Sequence, residues 1–334
     1  MSLISILKKK NNNILFTTPS HSGHLCLFHK FYQWYRCDIS ETDTHCPEDA
    51  LLKAETKASN IYGTKYTKFL TNGSSSGVIA SVLASKAKRI LIWSKAHPCH
   101  KNACILANAE YIEYDLLLDE KLGVYKAISL DFTQELINKH APDAIIITSP
   151  TYEGFVADIP EIAKFCKEKK VQLIVDEAHG ALYPFCEDLP QSAVKYADFT
   201  VQSLHKTTGG INPTALLHSN NIDPTKALKM INTTSPSYPM LATIEANINF
   251  LNSKRGRIHI QNLINNIKSL ELPQLNDDIT KILLMGGHEL SEKLFNKYGI
   301  EDERTNNKTT MLLCGIGTDK AKLGRLKKVL KNLI

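Results

Sequence analysis

Between about residue 66 and residue 220, short apolar runs alternate with stretches of helical character, and this alternation restricts the chain more than any other feature. Strands that follow one another through helices lie mainly parallel in one sheet, with the helices packed on its faces. The expected strands are Arg89 to Trp93, Ala144 to Thr148, Val171 to Val175, Phe199 to Val201 and Thr214 to His218. Ile159 to Cys166 reads as a helix with Pro160 in its first turn. After residue 240 the chain turns helical, from Met240 to about Asn252 and from Gly287 to Lys297. One strand, Thr309 to Cys314, and a final helix with Leu323, Leu326, Leu330 and Leu333 on one face complete a smaller α/β unit. A second unit is expected because 334 residues exceed what one core usually holds.

Composition excludes several classes. An apolar fraction of 43% with 22% charged residues is that of a globular chain rather than a disordered one. No apolar run has membrane-spanning length. The net charge of +6 is spread out except for Lys320, Lys322, Arg325, Lys327, Lys328 and Lys331, which form the wet face of the last helix. No aromatic platform accompanies them, so nucleic acid is not an expected partner. Lys8 to Lys10 follow the first apolar stretch, the reverse of a secretory leader, so a cytoplasmic location is expected. The eight cysteines contain no C-x-x-C pair, and no disulfide framework is expected. His21, His24, Cys26, His45, Cys46, His97, Cys99 and His100 match no standard zinc spacing, so no metal is expected either.

In open sheets of this kind ligands bind beyond the carboxyl ends of the strands. Ser149-Pro150-Thr151-Tyr152 follows one expected strand, Asp176 the next and Lys206 a third. A lysine amine and a strand-end aspartate in one crevice suit pyridoxal 5′-phosphate: the amine forms a Schiff base with the aldehyde, and the carboxylate keeps the pyridine nitrogen protonated. Thr71-Asn72-Gly73-Ser74-Ser75-Ser76-Gly77 opens into Val78 to Ala84, a glycine- and hydroxyl-rich turn before a helix that can cradle a phosphate. A plain helix cap is the alternative reading of the same residues. His100 has the position to lie over a planar cofactor, although single histidines are more often satisfied polar groups, and Tyr152 carries the same ambiguity.

Taken in order, these elements resemble the fold-type-I pyridoxal-phosphate enzymes and, more narrowly, the Orn/Lys/Arg decarboxylase family. The resemblance rests on Leu70 to Gly77, Cys99-His100-Lys101, Ser149 to Gly154, Val175-Asp176-Glu177-Ala178-His179-Gly180, Ser203-Leu204-His205-Lys206-Thr207 and Thr233 to Tyr238, and spans about residues 16 to 240. It implies a large domain at 51–239 with a mainly parallel sheet, a small C-terminal α/β domain at 240–334, and a segment at 1–50 contributing to the active site. It further implies that Lys206 forms the internal aldimine, that Asp176 pairs with the pyridine nitrogen, that His100 stacks on the ring and that Ala178 packs beneath it. Ser74, Ser75, Ser76, Ser203 and His205 would hold the phosphate, with Tyr152 nearby, His179 near the aldimine or ring hydroxyl, and Lys206 or His205 delivering the proton. A homodimer with shared sites is implied, in which Ser235 or Ser237 serves the neighbouring subunit.

The implied reaction is decarboxylation of lysine, ornithine or arginine. Two departures from the family pattern keep an aminotransferase or lyase reaction, or cofactor binding with vestigial catalysis, in play. The family's early Pro-Gly-His-Lys-Gly-Gly segment appears as Pro19-Ser20-His21-Ser22-Gly23-His24, without its lysine. The further C-terminal domain of family members is also expected to be missing.

Overall fold

A computed structural model of the chain describes residues 14–16 and 47–333. Most of the 1–50 segment, with His21, His24, Cys26, Cys37, His45, Cys46 and the Pro19 to His24 motif, lies outside the described residues. The described cysteines, Cys99, Cys104, Cys166, Cys186 and Cys314, are free thiols.

In chain order the strands are β1 (Ile14–Leu15), β2 (Tyr66–Leu70), β3 (Arg89–Trp93), β4 (Glu110–Tyr114), the short hairpin β5 (Leu118–Asp119) and β6 (Val124–Tyr125), β7 (Ala144–Thr148), β8 (Gln172–Asp176), β9 (Phe199–Ser203) and β10 (Ala215–Ser219). The principal sheet has seven strands in the order β2-β10-β9-β8-β7-β3-β4. All neighbouring pairs from β9 to β4 run parallel, while β10 is antiparallel to both β9 and β2. Apolar side chains on both faces of Ile90, Leu91, Ile92, Ile145, Ile146 and Ile174 are buried, as central strands covered by helices require.

All five strands expected from the sequence in this region form, with boundaries shifted by a residue or two. Two edge strands were not legible. In β4, Glu110 and Glu113 interrupt the apolar pattern and only Tyr114 is buried, because an edge strand keeps water on its outer side. The helix expected after Gly77 starts earlier, at Gly73, and runs to Ser85, so the serines occupy its first turn rather than a preceding loop. Ser76 Oγ donates to the Gly73 carbonyl at 2.7 Å, which closes that turn. Gly77 lets the helix lie directly on the sheet: a Cβ there would sit 2.7 Å from Val201 Cγ1 and 2.9 Å from Leu70 Cδ1.

Beyond helices Tyr238–Asn252 and Lys254–Lys268 come β11 (Lys281–Met285), helix Gly287–Tyr298, β12 (Ile300–Glu301), β13 (Arg304–Thr305), β14 (Thr309–Leu313) and helix Lys320–Lys331. They form a three-stranded antiparallel sheet, β11-β14-β13, while β1 pairs with β12. The sequence pointed to β14 and the last helix, whose Leu323, Leu326 and Leu330 are buried, but not to β11 or helix Lys254–Lys268. A five-residue apolar run such as β11 has no period that separates strand from helix.

Under the large sheet runs a chain of buried polar groups. Glu177 accepts from Ala193 N and Ser192 Oγ at 2.7 Å each and from Gln202 Nε2 at 2.5 Å. Gln202 Oε1 in turn meets His218 Nε2 at 3.2 Å, and His218 Nδ1 meets Thr67 Oγ1 at 2.9 Å. The amide oxygen only accepts, so the His218 proton is on Nε2 and Nδ1 accepts from Thr67. No cation neutralises Glu177 among these partners.

Two stability predictions follow from this packing. Ile146, fully buried in β7, should cost about 2–5 kcal/mol on Ile146→Ala, whereas Ile258→Ala at a half-exposed helix position should stay within about 0.5 kcal/mol; chemical denaturation compares the two. Burial pushes the Glu177 carboxyl up from 4.5 to about 7, with its hydrogen bonds only partly opposing. The folded state therefore holds this proton more tightly than the unfolded one, so the stabilisation is complete below the unfolded value and lost as pH rises through the folded one. Thermal melts should show the Tm advantage of wild type over Glu177→Gln shrinking between about pH 5 and about pH 8. Parallel Tm curves would refute the assignment.

Candidate active site

The carboxyl ends of β3, β7, β8 and β9 open on one cavity of about 580 Å³. Its lining includes Ser74 and Ser75 from the Gly73–Ser85 helix, His97 and Cys99, Thr148, Tyr152 and Glu153, Asp176, Ala178 and His179, and His205 and Lys206. The small sheet contributes Arg304 and Asn306. Segments more than two hundred residues apart in sequence thus meet in one crevice.

Lys206 stands in the short helix Leu204–Thr207 directly after β9, and its Nζ lies 3.0 Å from His179 Nε2. Burial pulls the Lys206 amine below its ordinary range; Asp176 and Glu303 oppose this and Lys281 adds to it. Burial, followed by the charges of Lys206 and Lys281, holds His179 well below the usual histidine range and therefore neutral. When Lys206 carries its proton it donates to Nε2, which leaves the His179 proton on Nδ1. That Nδ1 is buried and has no partner among the described residues.

Asp176 ends β8, in register with Thr148 on β7. Its Oδ2 accepts from His100 Nε2 at 2.9 Å and its Oδ1 from the Ala178 N–H at 3.1 Å. Burial alone would push this carboxyl up, but the His100 hydrogen bond and charge, with Lys206 and the Ala178 N–H, leave it below the usual carboxylate range. An ionised carboxylate thus faces the cavity beside a lysine of reduced proton affinity.

The helix amino terminus meets the cavity without a side-chain cap, since Asn72 makes no capping bond. Its first-turn N–H groups, with the Ser74 and Ser75 hydroxyls, form an anion-seeking rim. His205 Nδ1 donates to the Thr214 carbonyl at 3.1 Å, which turns Nε2 away from that bond. Ser203 Oγ and Thr148 Oγ1 are buried without partners among the described residues.

The expected site residues therefore converge, with distinctions the sequence did not contain. His100 is 1% exposed, commits its Nε2 to Asp176 and contributes nothing to the cavity lining, whereas His97, one turn earlier, does line it. Ser76 and Ser203 are likewise buried and absent from the lining. Tyr152 is in the wall: its hydroxyl donates to Glu303 at 2.7 Å, its ring lies 4.6 Å from that of His179, and the Arg304 guanidinium sits 4.7 Å above it. Arg304 also reaches Glu153 at 3.3 Å. Thr148 was missed, and so were Glu153, Glu303 and Arg304, because nothing local marks a residue whose partner lies about 150 positions away. The Cys99 thiol, His100 and Asp176 bring their ligand atoms within 4.8 Å of one another. Burial pushes that thiol up to about 12, and the His100–Asp176 contact is a hydrogen bond, so the cluster reads as support for the carboxylate.

The chain is 26% identical over 324 residues to an arginine decarboxylase of Bacillus cereus, covering 87% of this chain and 70% of that protein. Its fold superposes on the constitutive lysine decarboxylase of E. coli with a TM-score of 0.76 at 20% identity, over 99% of this chain and 60% of that one. It also superposes on SPT holding PLP as an internal aldimine, with a TM-score of 0.68 at 14% identity, over 96% of this chain and 87% of that one. The chain thus spans about 60% of the length of the lysine decarboxylase it matches. The α/β architecture is that of the fold-type-I pyridoxal-phosphate enzymes, and residues 5–298 match the model of the Orn/Lys/Arg decarboxylase major domain. With that match over most of its length, the chain belongs to the Orn/Lys/Arg decarboxylase family.

Proposed function

We propose that this protein is a pyridoxal-phosphate-dependent carboxy-lyase that decarboxylates arginine, lysine or ornithine. One observation carries the reading: an ionised Asp176 and a buried Lys206 line the same cavity as the uncapped helix terminus at Ser74 and Ser75. That donor set fits the cofactor group by group: a carboxylate for the ring nitrogen, an amine for the aldehyde, and free N–H and hydroxyl groups for the phosphate. Pyridoxal phosphate, when bound, supplies an aldehyde for amine exchange and a ring that accepts the electron pair released when the Cα–carboxylate bond breaks.

The chain's own residues do the rest. Lys206 is the amine that would hold the cofactor, and its lowered proton affinity favours the unprotonated, nucleophilic form. His179, neutral and 3.0 Å from Lys206 Nζ, takes and returns a proton at Nε2, a role for which it is better placed than His205. Ser74, Ser75 and His205 would hold the phosphate, with the buried Ser203 hydroxyl as a further donor, while Ser76 keeps the first helical turn closed. Ala178 lines the floor where the ring would lie, and Tyr152 closes the side towards the small sheet. His100 acts through Asp176, fixing the carboxylate and its charge, and His97 is an imidazole that lines the cavity.

The division into 51–239 and 240–334, with residues 1–50 completing the site, belongs to the same reading, as do a cytoplasmic location and a homodimer with shared sites.

Absorbance titration with pyridoxal phosphate, borohydride fixation and peptide mass spectrometry should locate the cofactor on Lys206, and Lys206→Ala should lose it. Carbon dioxide should be released from one of the three basic amino acids, and Asp176→Ala should lower kcat on the order of 10²-fold, the scale of one preorganised charge. Keto-acid formation without gas would replace the decarboxylase reading by an aminotransferase one, and cofactor capture with no turnover of any amino acid would leave a binding protein.

A further inference from the structure

Behind His179, on the side away from the cavity, the structure holds a charged pair with no access to water. Lys281, the first residue of β11, and Asp278 form an ion pair in which both side chains are 0% exposed. Such a pair carries a large desolvation cost and is retained only where its geometry is well satisfied. Here it is. Asp278 Oδ1 accepts from Thr280 N at 2.9 Å and Thr280 Oγ1 at 2.6 Å, and its Oδ2 accepts from Tyr183 Oη at 2.7 Å as well as from Lys281. Lys281 Nζ makes one contact outside its own loop, donating to the His179 carbonyl at 3.3 Å.

The same loop docks on both strand-end turns of the site. Asp277 N and Asp278 N donate to the Gly154 carbonyl at 3.0 Å each, and Asn276 Nδ2 donates to the Glu153 carbonyl at 2.6 Å. Gly154, at φ +94°, leaves room for this: a Cβ would stand 3.0 Å from Asn276 Nδ2 and from Lys281 Cδ. One loop of the small sheet therefore grips the Tyr152-Glu153-Gly154 turn and the His179 turn together. Nothing in the local sequence of Asp278-Ile279-Thr280-Lys281 marks it as part of an active site.

We propose that Lys281, held by Asp278, is a positioning residue for Lys206: it anchors His179 at its backbone so that Nε2 faces the Lys206 amine, and it places a fixed positive charge behind that pair. The proposal rests on the reading of Lys206 as the reacting lysine. The groups facing Lys206 are Asp176 from β8, Glu303 from the β12–β13 turn, Cys99, His179 and Lys281, with His97 and His205 also within electrostatic reach. Of these, Lys281 is the cation held in a fully buried ion pair, with Asp278. Its charge disfavours protonation of the Lys206 amine and of the His179 ring alike, which favours the form of Lys206 that reacts covalently.

The test titrates Lys206 itself, in the full chain without cofactor, by competitive acylation with acetic anhydride across pH. Peptide mass spectrometry reads Lys206 against the exposed Lys139. Removing the charge in Lys281→Met should move the Lys206 midpoint up by about one pH unit, a tenfold gain in proton affinity, whereas Lys281→Arg should keep the wild-type midpoint. A purely structural role would lower Tm and leave the midpoint in place, and that result would overturn the proposal. Should Lys281→Met lose its cooperative melt, Lys281→Gln retains a donor for the His179 carbonyl without the charge and must show the same upward shift; a wild-type midpoint there is equally fatal. A separate absorbance titration with pyridoxal phosphate keeps the two claims apart, because failure of wild type to capture the cofactor removes the proposed reaction while the Lys206 midpoints still decide the role of Lys281.

Discussion

Parallel pairing is the constraint on which the rest of this structure depends. Because β3, β7, β8 and β9 run the same way, their carboxyl ends share one edge of the sheet, and whatever follows each strand is delivered to one place. Register does the fine placement: Thr148 lies opposite Asp176, and Asp176 opposite Val201. The Gly73–Ser85 helix can bring its positive end to that edge only because Gly77 lets it lie against Val201 and Leu70. A side chain at that position would lift the helix terminus off the crevice.

Burial then decides the chemistry of what has been gathered. Asp176 and Lys206 share an environment of low solvent access, yet the outcome differs for each because their partners differ. His100 and the Ala178 N–H stabilise charge on the aspartate, while Lys281 and the loss of water work against charge on the lysine. Like-charged neighbours and a dry surround are the ordinary means by which a fold holds a lysine amine ready at neutral pH. The small sheet takes part in this directly, since Arg304, Glu303 and Lys281 all belong to it and reach the wall or the back of the cavity.

Much of the principal sheet was legible in the amino-acid sequence, and for a definite reason. Central strands buried on both faces are continuous apolar runs, so Ile90 to Trp93, Ala144 to Ile147 and Leu173 to Val175 announce themselves. The edge strand β4 and the short strands β11 to β13 do not, because half their side chains face water or because five residues carry no period. Asp176 and Lys206 were legible from their positions at strand ends. Their immediate supports were legible only in part: His100 was identified as a site residue, but its commitment to the Asp176 carboxylate was not, and Glu303, Arg304, Asp278 and Lys281 gave no signal at all.

The sequence by itself determined the order of the central strands of the large sheet, the acid and the lysine at two strand ends, and the small-residue run at which a helix terminus meets the cavity. Those are local properties, written in residue type and spacing. Only the tertiary structure decided which histidine faces the cavity, which nitrogen of His179 meets Lys206, and that a buried pair about a hundred residues further on stands behind them. Such facts depend on contacts between distant segments, and the free energy that fixes them comes from the removal of water around groups whose neighbours the chain order does not reveal.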